Sequence, residues 1–280
     1  MPDRRSRTRF LVIVTAIAMI GLLFAGRIPQ DLQYHQFADT RKFGGIVNFW
    51  NVFSNLPFVL MGLFGISRYP RLAVEESRCG YLVLCTSVIL VGIGSAYYHH
   101  APSNSSLLWD RLPMTVAFMA LLSMLLGERV ITSYKKTSLW LLVAIGIGAA
   151  LYWSWTEARG QGDLRPYVLV QFLPILLIAL ILFLFPTKYL RSAPLLCAFG
   201  LYFLAKTCEH FDHEIFGLTN FVSGHTLKHV LAAFAVLCIV CAVPARGPTH
   251  PSRDQANLRE DAAILAAERI SQDGDRHGQV

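Results

Sequence analysis

The chain has 280 residues, of which 54% are hydrophobic and only 15% are charged. A soluble protein carries about 25% charged residues, so this composition excludes an ordinary water-exposed globule. The formal net charge of +7 does not point to nucleic acid, because the basic residues lie between apolar runs, where membrane orientation accounts for them.

In chain order, Arg4, Arg5, Arg7 and Arg9 precede an apolar stretch at 10–26. Arg27 and Pro29 follow without a small-residue cleavage site, which predicts an uncleaved helix and not a secretory signal. Seven further spans are predicted at 44–66, 81–99, 107–126, 139–155, 167–186, 194–208 and 225–243. Most approach the ~20 residues that cross a bilayer as a helix. The expected fold is an all-α polytopic membrane bundle: a seven-helix core plus one extra N-terminal transmembrane helix. The expected division is an anchor helix and outer loop at 1–43, a catalytic membrane domain at 44–245, and a polar cytoplasmic tail at 246–280. Within that tail, 257–270 has the pattern of a short amphipathic helix, although the composition is that of disorder.

Alternate loops test this order. Seventeen of the 25 lysines and arginines fall on the side of the N-terminus, five on the other, and three within or at the ends of spans. The basic side faces the cytoplasm, so both termini are expected inside. The six cysteines show no framework spacing and lie mostly in apolar runs, where cysteine behaves as a small hydrophobe.

With that orientation, six of the nine histidines gather at the outer ends of the helices: His99, His100, His210, His213, His225 and His229. His225 and His229 are four apart on a helix and share one face, which suits a common metal ion. A catalytic zinc takes three protein ligands and keeps one position open, and His99 or His100 can complete the set. Ser95 shares a helical face with His99, and Asp110 opens the next helix. A carboxylate there can accept the proton of a metal-bound water or orient a histidine ligand, and a serine can donate to a developing oxyanion.

Each residue also has a plainer reading. Asp110 can complement a helix N-terminus, and Ser95 can be a small residue at a helix crossing. His210 and His213 fit loop or supporting positions. Lys206 and Glu209 read as a local charge pair, Lys228 as a side chain snorkelling to the interface. Asn48, Asn51, Ser54 and Asn55 open the second helix and should face the bundle, for hydrogen bonding between helices or for ligand contact.

Three blocks carry a resemblance to a known family: Phe49-Trp50-Asn51-Val52-Phe53-Ser54-Asn55; Gly94-Ser95-Ala96-Tyr97-Tyr98-His99 with Asp110-Arg111-Leu112-Pro113-Met114; and His225-Thr226-Leu227-Lys228-His229. In order and spacing, over roughly residues 37–243, they resemble the alkaline ceramidases, within the seven-helix membrane hydrolases that include the progestin and adipoQ receptors. The resemblance implies a zinc-dependent amide hydrolase that cleaves a ceramide-like lipid into a sphingoid base and a fatty acid. It implies His99, His225 and His229 as zinc ligands, Asp110 acting on water, and Ser95 stabilising the oxyanion. The motif intervals select His99 over His100.

Eukaryotic members carry an acidic calcium-binding cluster just before the Phe-Trp-Asn block. Here residues 37–48 hold one acid, Asp39, beside Arg41 and Lys42, so structural calcium is not expected. That stretch resembles the bacterial branch and implies a plasma-membrane protein. Two other readings compete with the hydrolase: a lipid-sensing receptor or binding protein without turnover, and a haem carrier using histidines as axial ligands, which leaves Ser95 and Asp110 idle.

Overall fold

The computed structural model describes residues 3–131 and 136–245; the expected polar tail, with its amphipathic segment, lies outside the described residues. The described chain is helical throughout, apart from turns and an isolated bridge between Phe43 and Ile46. Seven helical stretches are long and apolar enough to cross a membrane. They are α1 (Arg4–Phe24); a broken pair, α2 (Phe49–Phe53) and α3 (Leu56–Arg68); α4 (Glu75–His100); α5 (Asn104–Leu125); α6 (Lys136–Glu157); α7 (Arg165–Leu184); and α10 (Gly224–Ala242). Between the last two run α8 (Ser192–His210) and the short α9 (Asp212–Thr219). α8 is less apolar than the seven because its final turns carry Lys206, Glu209 and His210.

α5 sits centrally and packs on α4, α6 and α7; α4 packs on α3, α3 on α10, and α10 on α8. α1 lies outside this ring against α7, with Leu11 its one buried residue. Its first turn is clasped to the bundle: Arg4 donates to the Arg129 and Val130 carbonyls, and Arg7 to that of Leu184.

Three boundaries depart from the expected ones, each for a local reason. Residues 44–48 are not helical. Gly44, Gly45 and Asn48 adopt φ of 58°, 85° and 51°, left-handed conformations that hold a tight turn before α2. The apolar Ile46 and Val47 between them concealed this turn. α4 begins at Glu75 instead of residue 81, because Glu75 and Glu76 complement the positive helix end and Glu75 pairs with Arg78 at 3.1 Å. α5 begins at Asn104, capped by Ser103 and Ser106 in a reciprocal box.

α5 also runs on into a π turn, Leu126–Val130, which carries Glu128 and Arg129 into the protein interior. The predicted spans at 107–126 and 139–155 leave both residues in the connection between helices. The pair meets at 2.6 Å and is saturated. Glu128 accepts from the Thr187 hydroxyl and from the backbone N–H of Lys188, Tyr189 and Leu190. Arg129 donates to the Phe185 and Leu190 carbonyls and to Ser192. It locks the α7–α8 connection against the end of α5.

Candidate functional site

At the opposite end of the bundle, α4 ends, α5 begins, α8 ends and α10 begins. α4 presents Ser95 and His99 on one buried face, 3% and 1% exposed, whereas His100 points to the exterior. α10 is started by Ser223, whose side chain accepts from the Thr226 N–H, so His225 and His229 stand one turn apart in the first two turns. Both are buried. The ring centroids lie 4.7 Å apart for His99–His225, 4.9 Å for His99–His229 and 4.9 Å for His225–His229.

One nitrogen from each ring falls within 4.8 Å of the others, so the three can hold a metal ion. The Nε2 atoms of His99 and His225 approach to 3.3 Å. Two nitrogens bound to one tetrahedral zinc at about 2.0–2.1 Å stand about that far apart. The Ser54 hydroxyl is 2.8 Å from His229 Nδ1, and His229 Nε2 is buried with no partner. An orphaned imidazole nitrogen aimed at two others is a costly arrangement unless a cation is to occupy it. The donor set fits zinc.

Two close backbone approaches seat these residues. A Cβ at Gly94 would lie 2.0 Å from the Trp109 carbonyl oxygen, so α4 and α5 touch backbone to backbone. Pro113, inside α5, brings no N–H to that carbonyl. The contact holds Ser95 within hydrogen-bonding reach of the Asp110 carboxyl, which is 7% exposed. A Cβ at Gly224 would likewise lie 2.0 Å from the Cys208 carbonyl, drawing the start of α10 onto α8.

The segment between α1 and α2 covers the histidines. The Phe37 ring packs 4.6 Å from that of His99 and 4.9 Å from that of His225. Asp212 binds cover and site together: one carboxyl oxygen accepts from Ala38 N–H at 2.9 Å, the other from His225 N–H at 2.7 Å. His35 is pinned between the Tyr98 hydroxyl at 2.9 Å and the Asn104 side chain at 2.8 Å. Asp39 is taken up by Arg41 at 2.6 Å, so the one acid of residues 37–48 is already paired.

The polar block of α2 faces inward as expected. Asn48 donates to the His99 carbonyl, Asn51 to that of Asp39, and Thr226 to the Asn51 side chain. His210 and His213 are exposed and stand apart from the cluster. Asp212, between them, is given no role by the sequence, where an acid flanked by exposed histidines carries no periodic signal. Lys228 does not snorkel outward: it is 17% exposed and pairs with Glu209, which also pairs with Lys206.

A cavity of about 360 Å³ opens from this cluster into the bundle. Ser95, Asp110 and His229 lie at its head, and Ile178, Leu195 and Ile239 at its far end. From His229 to Ile239 is ten residues of α10, or about 15 Å at 1.5 Å per residue. The slot is long and apolar enough for an alkyl chain, with His229 at its polar end.

No curated protein and no solved structure matches the chain. A family model described as Ceramidase matches residues 43–255, the greater part of the molecule, and the chain belongs to that family, hydrolases of amide bonds.

Proposed function

We propose that the protein is a zinc-dependent intramembrane hydrolase of a ceramide-like lipid amide, of the alkaline, bacterial-type branch. One observation carries this reading: three buried histidines meet, and one of them, His229, stands with Ser95 and Asp110 at the head of a largely apolar cavity. His99, His225 and His229 would hold the ion. Bound zinc would supply Lewis acidity to the carbonyl and ease deprotonation of water at neutral pH.

The side chains divide the remaining work. The cavity takes the acyl chain and excludes water from all but its head. Ser95 donates to the carbonyl oxygen as negative charge gathers there. Asp110 removes a proton from the attacking water and returns it to the nitrogen as the carbon–nitrogen bond breaks, which leaves a fatty acid and an amine. Ser54 fixes the ring of His229, and Asp212 fixes the backbone of His225. No calcium is invoked, since Asp39 is committed to Arg41.

With the basic ends of the helices inside, both termini are cytoplasmic and the histidine cluster lies near the outer face of a plasma membrane. A reporter fused to the C-terminus should read as cytoplasmic. The function is tested by metal analysis of the purified chain and by fatty acid release from short- and long-chain ceramides, with Asp110→Ala as control. Zinc retained without cleavage of any acyl amide would sink the proposal.

A further inference from the structure

The cavity wall beside Asp110 carries polar residues that the hydrolysis above does not use: Tyr34, Arg111, Lys206, Glu209 and Lys228. Glu209 faces both Lys206 and Lys228, so one carboxylate answers two ammonium groups. Arg111 is 6% exposed, and no carboxylate among the described residues lies within ion-pairing distance of it. Its guanidinium sits over the rings of Trp153 at 4.4 Å, Tyr167 at 4.7 Å and Tyr34 at 5.5 Å. Its Nη1 is buried with no hydrogen-bond partner. Aromatic faces offset part of the cost of burying a cation, but they leave the guanidinium fork without an acceptor. Three cations thus stand against two carboxylates, Asp110 and Glu209, along one wall.

Resting on the amide-hydrolase reading, we propose that the substrate carries an anionic group, carboxylate or phosphate, on its amine half, and that Arg111 with Lys228 receives it. The amine nitrogen departs beside Asp110, which returns its proton, and Arg111 and Tyr34 line the same cavity as Asp110. Substituents of the amine half therefore lie against Arg111 and Tyr34, while the acyl chain fills the apolar reach toward Ile178 and Ile239. A neutral sphingoid head leaves Arg111 without an anion and, once released, adds an ammonium to an already cationic wall. An acidic head gives the fork the paired oxygens it is shaped to bind.

Matched pairs that differ only in the anion test this: N-acylglycine against its methyl ester, and phosphorylated ceramide against ceramide. Binding is read by calorimetry on the full chain with sulfonamide analogues of the glycine pair, which cannot be hydrolysed. The acid should bind roughly 30-fold or more tightly than the ester, as a buried charge pair does. Arg111→Gln should abolish the difference, and Arg111→Lys, which keeps a cation in the same cage, should retain part of it. Equal binding of acid and ester, or discrimination that survives in Arg111→Gln, overturns the proposal. If plain fatty acid loses as much affinity in Arg111→Gln as the acidic analogue does, the group held is the product carboxylate and the assignment to the amine half is overturned. Turnover of the hydrolysable pairs is scored separately. Failure to release fatty acid from any of them counts against the hydrolase reading and leaves the binding comparison intact.

Discussion

Two buried polar clusters lie at opposite ends of the bundle and differ in how completely they are bonded. At one end Glu128 and Arg129 have a partner for every polar side-chain atom, drawn from each other and from residues 185–192. At the other, His229 Nε2 and Arg111 Nη1 are equally buried and have none. Burial of a polar group without a partner costs about 1–3 kcal/mol, and a fold bears that cost where something is to bind. Saturation marks a structural cluster; open valence beside a cavity marks a working one.

The sharpest way to break this contrast is to truncate each cluster in turn. His99→Ala should cost about three orders of magnitude or more in fatty acid release together with bound metal, because the Lewis acid supplies several kcal/mol. His100→Ala should change neither, and metal analysis beside the activity assay checks both. Loss of metal in His100→Ala and not in His99→Ala would refute the assignment. Glu128→Ala should do the reverse: it leaves Arg129 buried and unpaired, costs about 3–5 kcal/mol of stability, and spares the metal content of the molecules that remain folded. Thermal unfolding in detergent measures it.

Gly94→Ala sits between the two. A Cβ against the Trp109 carbonyl should cost about 1–3 kcal/mol through overpacking. Activity should fall further than the lost stability explains, because Ser95 and Asp110 are pushed apart. An activity loss that merely tracks the unfolded fraction would make the contact structural alone. Ser54→Ala is the mildest test, removing the hydroxyl that orients His229. Metal affinity should weaken about 10–100-fold with no change in unfolding temperature, and an unchanged affinity in a zinc titration would show that Ser54 only packs.

The pair His225 and His229 was legible in the sequence because ionisable residues stand out in apolar runs and a spacing of four places them on one face, whereas the choice of His99 over His100 rested on the family resemblance. Ser95 followed from the same period, and Asp110 from the short loop that brings α5 back beside α4. The supporting contacts were not legible. Asp212 acts through backbone N–H groups at Ala38 and His225, and no spacing rule reports a bond made to a backbone amide from a distant segment. Glu128 and Arg129 looked like loop charges because the apolar run stops just before them, while the helix continues through a π turn. Lys228 lies on a helical face that pattern alone assigns equally well to solvent. Its true neighbour, Glu209, belongs to another helix.

Asp212 is a mechanical link between two segments. One of its oxygens tethers the segment that covers the site, and the other tethers the helix that supplies two of the three histidines. The cover and the histidine cluster are therefore tied to a single knot, so a pull on one is felt by the other. A protease that nicked the chain near Ala38 would cut nothing that touches the ion, yet the break should register as metal escaping from the protein.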